Sequence, residues 1–158
     1  PLTEVYFTRL SSSLHVQGFS DVDWGKYPHS RESISGYCVF LGDSPVSWKA
    51  EKQKTTSKSS VESEYRTMFE AASELVLIVG LLRDLHVPVQ LPVSLACDNK
   101  SAQYIAANPV FHNRTKHLDV DCNYVRDRIQ EGFLQTIHVS SHLQIADIFT
   151  KPLVSAQY

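Results

Sequence analysis

The sequence predicts an α/β domain in which helices flank a mixed β-sheet. Three short strand patterns come first, a long amphipathic helix follows them, and another apolar strand pattern comes after the helix. Because crossover connections join parallel strands, the sheet is expected to contain both parallel and antiparallel pairs. A chain of 158 residues, 42% of them hydrophobic and 20% charged, suits a single domain over residues 1–158.

The first three strands are expected to form a meander, because turn residues separate their apolar patterns. Alternation along the first strand places Phe19 and Asp21 on one side, with Asp23 pointing the same way. Residues 1–12 are poorly patterned and are expected to form a linker or an extra strand. The predicted strands are residues 14–23, 34–41 and 46–50, with a hairpin turn at residues 42–45.

The long helix is predicted over residues 60–85. With an advance of about 100° per residue, seven of its apolar positions fall within about 80° of Met68. They form one stripe that a sheet or another helix must cover, namely Val61, Tyr65, Ala72, Leu75, Val76, Val79 and Leu82.

Two acids in the first turns of this helix have different explanations. Glu62 falls about 120° from the stripe centre and, with Ser59, fits a capping box on the outward face. Glu64 falls about 40° from the centre and is therefore expected to face inward. An ionised carboxylate near a core is costly unless a cation meets it, so we expect other acids to share a metal ion with Glu64. The alternative for Glu64 alone is a side chain that bends round to water.

The second half of the chain predicts two further strands and three helices. A central strand ends directly before Asp98, and the middle helix ends at Gly132. The basic sequence VFHNRTKHLD forms a loop before that helix. The predicted strands are residues 93–97 and 134–140, the first and last helices are residues 100–107 and 145–150, and the inner face of the middle helix is Val120, Tyr124, Val125, Arg128 and Ile129.

Four acids are expected to meet at one edge of the sheet. Asp21 and Asp98 close strands that should be parallel neighbours, and α/β sheets bind ligands at that edge. Glu64 and Asp147 can reach the same place from two helices. Four carboxylates without a Cys or His cluster favour Mg²⁺ or Mn²⁺ over zinc. Alternatively, Asp21 and Asp98 are turn-forming acids, and Asp147 interacts with a helix dipole.

The composition of the chain argues against several other classes of protein. The net charge of −2 argues against a generally basic nucleic-acid-binding surface. Three widely spaced cysteines without a CxxC motif indicate neither a disulfide framework nor a structural zinc site, and they favour a reducing compartment. No apolar run has the length of a membrane span, and the start of the chain is expected to lie inside a longer polypeptide.

Several motifs occur in a specific order: GFSDVDWG, SISGYCVFLG, VSWKAEKQKTTSKSSVESEYRTM, CDNKSAQYIAANPVFHNRTKHLDVD and IADIFTKPL. Together they resemble the ribonuclease H domain at the end of the polyprotein of copia-type LTR retrotransposons. The resemblance implies a ribonuclease H-like fold with a five-stranded mixed sheet, three strands antiparallel and two parallel. It also implies a metal site formed by Asp21, Glu64, Asp98 and Asp147.

The implied activity is hydrolysis of the RNA strand of an RNA/DNA hybrid, with two Mg²⁺ ions that Mn²⁺ can replace. His142 matches the place of a histidine thought to help product release in cellular ribonucleases H. The implied partners are the hybrid and an upstream reverse transcriptase domain, with no membrane. The expected substrate contacts are Asn99, Ser101 and Gln103 for 2′-hydroxyl groups and Arg114, Lys116 and His117 for phosphates.

Two alternatives remain open from the sequence. One is an inactive or domesticated module that keeps the fold and binds nucleic acid or protein without cleavage. The other is an integrase or resolvase, which also pairs acids with divalent ions but acts on DNA duplexes or junctions. For the ribonuclease H of a retrotransposon, an intracellular location is expected, cytoplasmic within a virus-like particle or nuclear.

Overall fold

One five-stranded sheet forms the centre of the protein. The computed structural model describes residues 14–25, 32–53, 57, 59–107 and 119–151. The strands are β1 (Val16–Asp23), β2 (Ile34–Leu41), β3 (Ser44–Lys52), β4 (Val93–Cys97) and β5 (Leu134–His138). The helices are α1 (Ser60–Asp84), α2 (Lys100–Ala107), α3 (Asp119–Gln130) and α4 (Asp147–Thr150), with a 3₁₀ turn at Ser141–Leu143.

The strand order is β3-β2-β1-β4-β5, which puts β1 at the centre of the sheet. The three strands of the meander pair antiparallel, whereas β4 pairs parallel with both β1 and β5. This arrangement confirms the predicted five-stranded mixed sheet. The helical crossover from β3 through α1 places β4 beyond β1, at the opposite side from β2.

The two faces of the sheet are covered differently. On one face, α1 packs against β1, β2 and β4, and α2 and α3 pack beside it. Met68 and Leu75 from this helix are fully buried together with Val16 and Leu95 from the strands. Each such side chain contributes roughly 1.5–3 kcal/mol by leaving water, so this face holds most of the core. A smaller apolar cluster lies on the other face, formed by Phe19, Cys38, Ala96 and Ala146 with Phe149 beside them.

The short helix α4 lies very close to β2 because position 36 has no side chain. A Cβ atom at Gly36 would lie 2.7 Å from Phe149 Cβ and 2.9 Å from Thr150 Cγ2. The segment before α4 is held as well, since Gln144 Nε2 donates to the Ser20 carbonyl at 2.9 Å. This close approach brings the start of α4 next to β1.

Several element boundaries differ from the sequence-based predictions. β1 begins at Val16, because Leu14 makes only an isolated bridge with Val89. β3 extends over Ser44–Lys52, since β2 pairs with it along its whole length. The added residues, 44–45 and 51–52, are turn-forming or charged, which is why the sequence pattern placed them outside the strand. β5 ends at His138, where its partner strand β4 also ends, and α4 begins at Asp147.

The predicted inner face of α3 is present where its side chains are described. Val125 is fully buried, Tyr124 and Ile129 pack against the core, and Gly132 follows the helix with a φ of 73°. Arg128 lies over the Tyr124 ring and pairs with Glu131. Residues 110–118 of the predicted loop VFHNRTKHLD and the side chain of Val120 lie outside the described residues, whereas the last residue of that loop, Asp119, begins α3. Among the helices that the structure describes, none is long and apolar enough to cross a membrane.

Candidate metal centre

Three of the four predicted acids converge at one edge of the sheet. Carboxylate oxygens of Asp21, Glu64 and Asp98 all lie within 4.8 Å of one another. The parallel register explains the meeting of the two aspartates: Phe19 pairs with Ala96, so two residues further along Asp21 comes beside Asp98. Asp21 lies inside β1, which continues to Asp23, and does not close the strand as the sequence suggested.

Glu64 reaches this edge from the second turn of α1. Ser59 caps the helix by accepting a hydrogen bond from the Glu62 amide at 3.2 Å, which sets where the helix begins. The Glu64 side chain is buried, and its Oε2 atom has no hydrogen-bond partner among the described residues. Burial, and then the charges of Asp21 and Asp98, raise the pKa of Glu64 from 4.5 to about 9.

Asp21 is buried to 2% exposure on the central strand. Its Oδ2 atom accepts a short hydrogen bond from the hydroxyl of Thr150 on α4. Burial raises the pKa of Asp21 to about 6, although the Thr150 hydrogen bond and the charge of Lys151 act in the opposite direction. Asp21 is therefore the residue through which β1, α1 and α4 meet.

Asp147 is the fourth acid and lies at the start of α4. Its Oδ1 atom is 2.7 Å from the Lys151 ammonium, which is also 4.0 Å from Asp21 Oδ2. Burial alone would lower the pKa of Lys151, but the hydrogen bond to Asp147 and the charge of Asp21 raise it. Asp147 is thus held near Asp21 by a lysine, outside the three-acid group.

The set of donors suits a hard divalent cation. Oxygen ligands of one octahedral Mg²⁺ lie roughly 3–4 Å apart, so a small movement of three carboxylates within 4.8 Å brings them to that spacing. The unpartnered, buried Glu64 Oε2 atom is a second observation that fits a cation, because a buried acceptor without a donor is costly. The residues therefore fit Mg²⁺ or Mn²⁺.

Asp98 and the predicted histidine are linked through the 3₁₀ turn. Ser141 Oγ donates to Asp98 Oδ2 at 3.1 Å, and His142 is the next residue. His142 is exposed, so its side chain is open to solvent.

The residues predicted to contact substrate differ in their surroundings. Asn99 Oδ1 accepts from the Ala102 amide at 3.0 Å, and Gln103 Nε2 donates to the Cys97 carbonyl at 3.3 Å. Asn99 therefore caps the start of α2, and Gln103 joins α2 to the end of β4, while Ser101 is exposed. Arg114, Lys116 and His117 lie outside the described residues.

The prediction that Glu62 faces outward is wrong. Glu62 is 7% exposed, and its Oε1 atom lies 3.2 Å from Arg66 Nη2. Glu62 pairs with Arg66, and the Arg66 charge acts in turn on Asp121 of α3, a helix that packs against α1. A second helix thus covers the side of α1 that a single apolar stripe leaves to solvent.

Sequence reasoning missed Thr150, Lys151 and Ser141, all of which bond to the acids. A signal for Lys151 was present, because it follows Asp147 by four residues and side chains at that spacing share a helix face. No local pattern indicates Ser141, which meets Asp98 from 43 residues away.

Sequence comparison places the chain within a much longer type of protein. The retrovirus-related Pol polyprotein from transposon RE2 of Arabidopsis thaliana is 42% identical over 147 residues, which are 93% of this chain and 10% of that polyprotein. The chain thus spans about a tenth of the length of the plant Pol polyproteins that it matches. No family model matches the sequence.

The fold has clear counterparts among solved structures. The N-terminal RNase H domain of a Mycobacterium tuberculosis protein aligns with a TM-score of 0.64 and 10% identity, over 87% of this chain and 91% of that one. LC11-RNase H1, solved with an RNA/DNA hybrid, aligns with a TM-score of 0.63 and 12% identity, over 85% of this chain and 93% of that one. The chain therefore belongs to the Pol polyproteins of copia-type retrotransposons, of which it is a segment with the ribonuclease H fold.

Proposed function

We propose that the protein is a divalent-metal-dependent endonuclease that hydrolyses the RNA strand of RNA/DNA hybrids. The observation that carries this proposal is the meeting of Asp21, Glu64 and Asp98 within 4.8 Å, with Asp147 beside Asp21. The cluster lies on a ribonuclease H fold, and a neighbour in fold was solved with a hybrid bound. The chain also belongs to the Pol polyproteins of retrotransposons, which supports the same class of substrate.

In this proposal the four acids hold two Mg²⁺ ions, for which Mn²⁺ can substitute. When bound, the ions supply an activated water and neutralise charge at the scissile phosphate and the leaving 3′ oxygen. Asp21, on the rigid central strand, would hold its carboxylate at the middle of the site, because β1 and the Thr150 hydroxyl both restrain it. Glu64 would direct its otherwise unpartnered oxygen at the same point.

The remaining residues would position the hybrid and release the product. Ser101 is exposed at the start of α2 and would contact a 2′-hydroxyl group in the minor groove, with Asn99 and Gln103 beside it. The exposed His142 would assist departure of the product. Arg114, Lys116 and His117 would contribute phosphate contacts, and the upstream reverse transcriptase domain would supply further binding surface.

A cleavage assay with end-labelled RNA/DNA hybrid and Mg²⁺ or Mn²⁺ tests the proposal. We expect cleavage of the hybrid RNA strand, and none of single-stranded RNA or duplex DNA. Glu64→Gln and Asp98→Asn should each reduce cleavage by about a hundredfold or more, since each removes a charged ligand. Glu74→Gln, which is on the same helix and bonds to Ser47, is the matched control and should cleave normally. Cleavage that survives Glu64→Gln and Asp98→Asn would exclude this site.

A hybrid-binding assay run beside the cleavage assay separates the enzyme from a non-catalytic module. An enzyme should bind the hybrid and cleave it when metal is added. Binding of the hybrid at several metal concentrations with no cleavage would instead identify an inactive ribonuclease H-like module. Preferential cleavage of a DNA junction would identify a resolvase.

A further inference from the structure

The side chain of Lys151 lies among the acids of the candidate metal centre. Its ammonium is 2.7 Å from Asp147 Oδ1 and 4.0 Å from Asp21 Oδ2. Asp147 and Lys151 are four residues apart, at opposite ends of the single turn of α4. The lysine therefore interacts with acids from two different elements, α4 and β1.

The position of Lys151 is set by the way α4 is held. The Lys151 amide donates to the Asp147 carbonyl at 2.9 Å, which closes the helical turn. The preceding residue, Thr150, is buried and bonded to Asp21, and Gly36 lets this turn lie directly on β2. The backbone of Lys151 is thus fixed beside the site, while its side chain is 44% exposed and can turn toward water.

A charged lysine and a divalent cation make incompatible demands on the same carboxylate. An ammonium group has three donors and no acceptor, so it cannot itself ligate a metal ion. Any cation coordinated by Asp147 Oδ1 would also lie close enough to the ammonium to be repelled strongly. Lys151 must therefore move away from Asp147 when that oxygen binds a metal ion.

We propose that Lys151 is a positioning residue that competes with divalent cations for Asp147. It holds the Asp147 carboxylate beside Asp21, and it weakens metal binding at this part of the site until the ion displaces the ammonium toward solvent. The inference rests on the proposed function, since it assumes that Asp147 takes part in metal binding. It predicts that removal of the lysine lowers the stability of the metal-free protein but raises its affinity for the metal ion.

Calorimetric titration with Mn²⁺, together with thermal unfolding in a chelator, tests this competition. Lys151→Gln should bind Mn²⁺ about two- to fivefold more tightly, as expected for loss of a partly exposed ion pair. Without metal the same variant should unfold at a lower temperature, because Asp147 and Asp21 lose their cation. Lys151→Arg keeps the charge and should stay within about twofold of the original affinity.

Two controls make the result specific. Lys52→Gln removes an equal charge from the edge strand β3, where Lys52 pairs with Glu32, and should leave Mn²⁺ affinity unchanged. In an Asp147→Asn background, Lys151→Gln should no longer change the affinity, because the competed carboxylate is absent.

Equal or weaker Mn²⁺ binding by Lys151→Gln, with the original protein still binding Mn²⁺, would overturn the competition and leave the proposed function in place. A merely structural lysine gives that result, since its loss lowers stability and metal affinity together. Absence of Mn²⁺ binding by both proteins would overturn the competition and the proposed function alike.

Discussion

At the scale of single residues, Glu64 and Asp21 show how a helix and a strand place two carboxyl groups in a buried site. Both carboxyl groups are buried, and burial is the main cause of their raised pKa values of about 9 and about 6. The Lys151 ammonium lowers the pKa of both groups, whereas the hydrogen bond from the Thr150 hydroxyl lowers that of Asp21 alone. The two residues therefore lose protons in different pH ranges despite being neighbours.

The raised pKa of Glu64 predicts that the metal-free protein loses stability as the pH rises. The folded state binds this proton more tightly than the unfolded state, so the contribution is complete below pH 4.5 and is lost toward about pH 9. One such group changes the free energy of unfolding by at most about 1.4 kcal/mol per pH unit. Urea unfolding in a chelator at several pH values should show this fall, and Glu64→Gln should make it shallower. An unchanged slope in the variant would contradict the assignment to Glu64.

His142 is predicted to affect turnover more than metal binding. It is exposed in the 3₁₀ turn, next to Ser141, which bonds to Asp98. His142→Ala should slow steady-state cleavage about tenfold, less than the roughly hundredfold or greater loss typical of a proton-transfer group, because the histidine assists product departure. Single-turnover and steady-state rates measured together should show a larger loss in the steady state. Complete loss in the single-turnover measurement would place His142 in the bond-breaking step.

At the scale of elements, α1 carries two acids with different tasks. Glu62→Gln leaves the Ser59 cap in place but weakens a largely buried pair with Arg66, so it should cost about 1–3 kcal/mol of stability. Under conditions in which both variants are folded, it should retain most of the cleavage rate that Glu64→Gln loses. Chemical unfolding measures the predicted loss of stability in Glu62→Gln, and cleavage rates of both variants measure the predicted difference in activity. An inactive, fully folded Glu62→Gln protein would mean that Glu62 is the residue facing the metal.

The docking of α4 on β2 depends on Gly36. In Gly36→Ala the new Cβ atom would collide with Phe149 and Thr150, and overpacking of this kind costs about 1–3 kcal/mol. We expect reduced stability and reduced cleavage, because Thr150 and Asp147 move with the helix. Gly80→Ala is the matched control, because Gly80 lies in α1 and a Cβ atom added there would meet nothing within 4 Å. This variant should gain up to about 1 kcal/mol of stability. Normal cleavage by Gly36→Ala would show that α4 placement does not matter.

At the scale of the whole molecule, the net charge predicts weak binding of a polyanion by this segment alone. The chain has a net charge of −2 and spans about a tenth of the polyproteins it matches. We therefore expect a high KM for the hybrid that rises with salt, and a lower KM when the preceding polyprotein domain is joined to the chain. Cleavage kinetics of the two proteins at several salt concentrations check this. Equal KM values would show that the segment contains the complete binding surface.

Local patterns were sufficient for most of the fold. β2, β4 and α2 have the predicted bounds, and α1 ends one residue before its predicted end. These elements could be predicted because alternation, helical periodicity and turn residues act over a few neighbouring positions. The same local reasoning placed Glu64 toward the sheet, where it is buried.

Contacts between distant parts of the chain decided the rest. The parallel register of β1 and β4 set Asp21 beside Asp98, tertiary packing buried Glu62, and the glycine at position 36 brought α4 to the site. Lys151 meets Asp21 across 130 positions of the sequence for the same reason. The sequence by itself determined the elements and the inward acid of α1, because those depend on neighbouring residues. Only the tertiary structure decided which side chains share the site, because packing and strand register join residues that no local pattern relates.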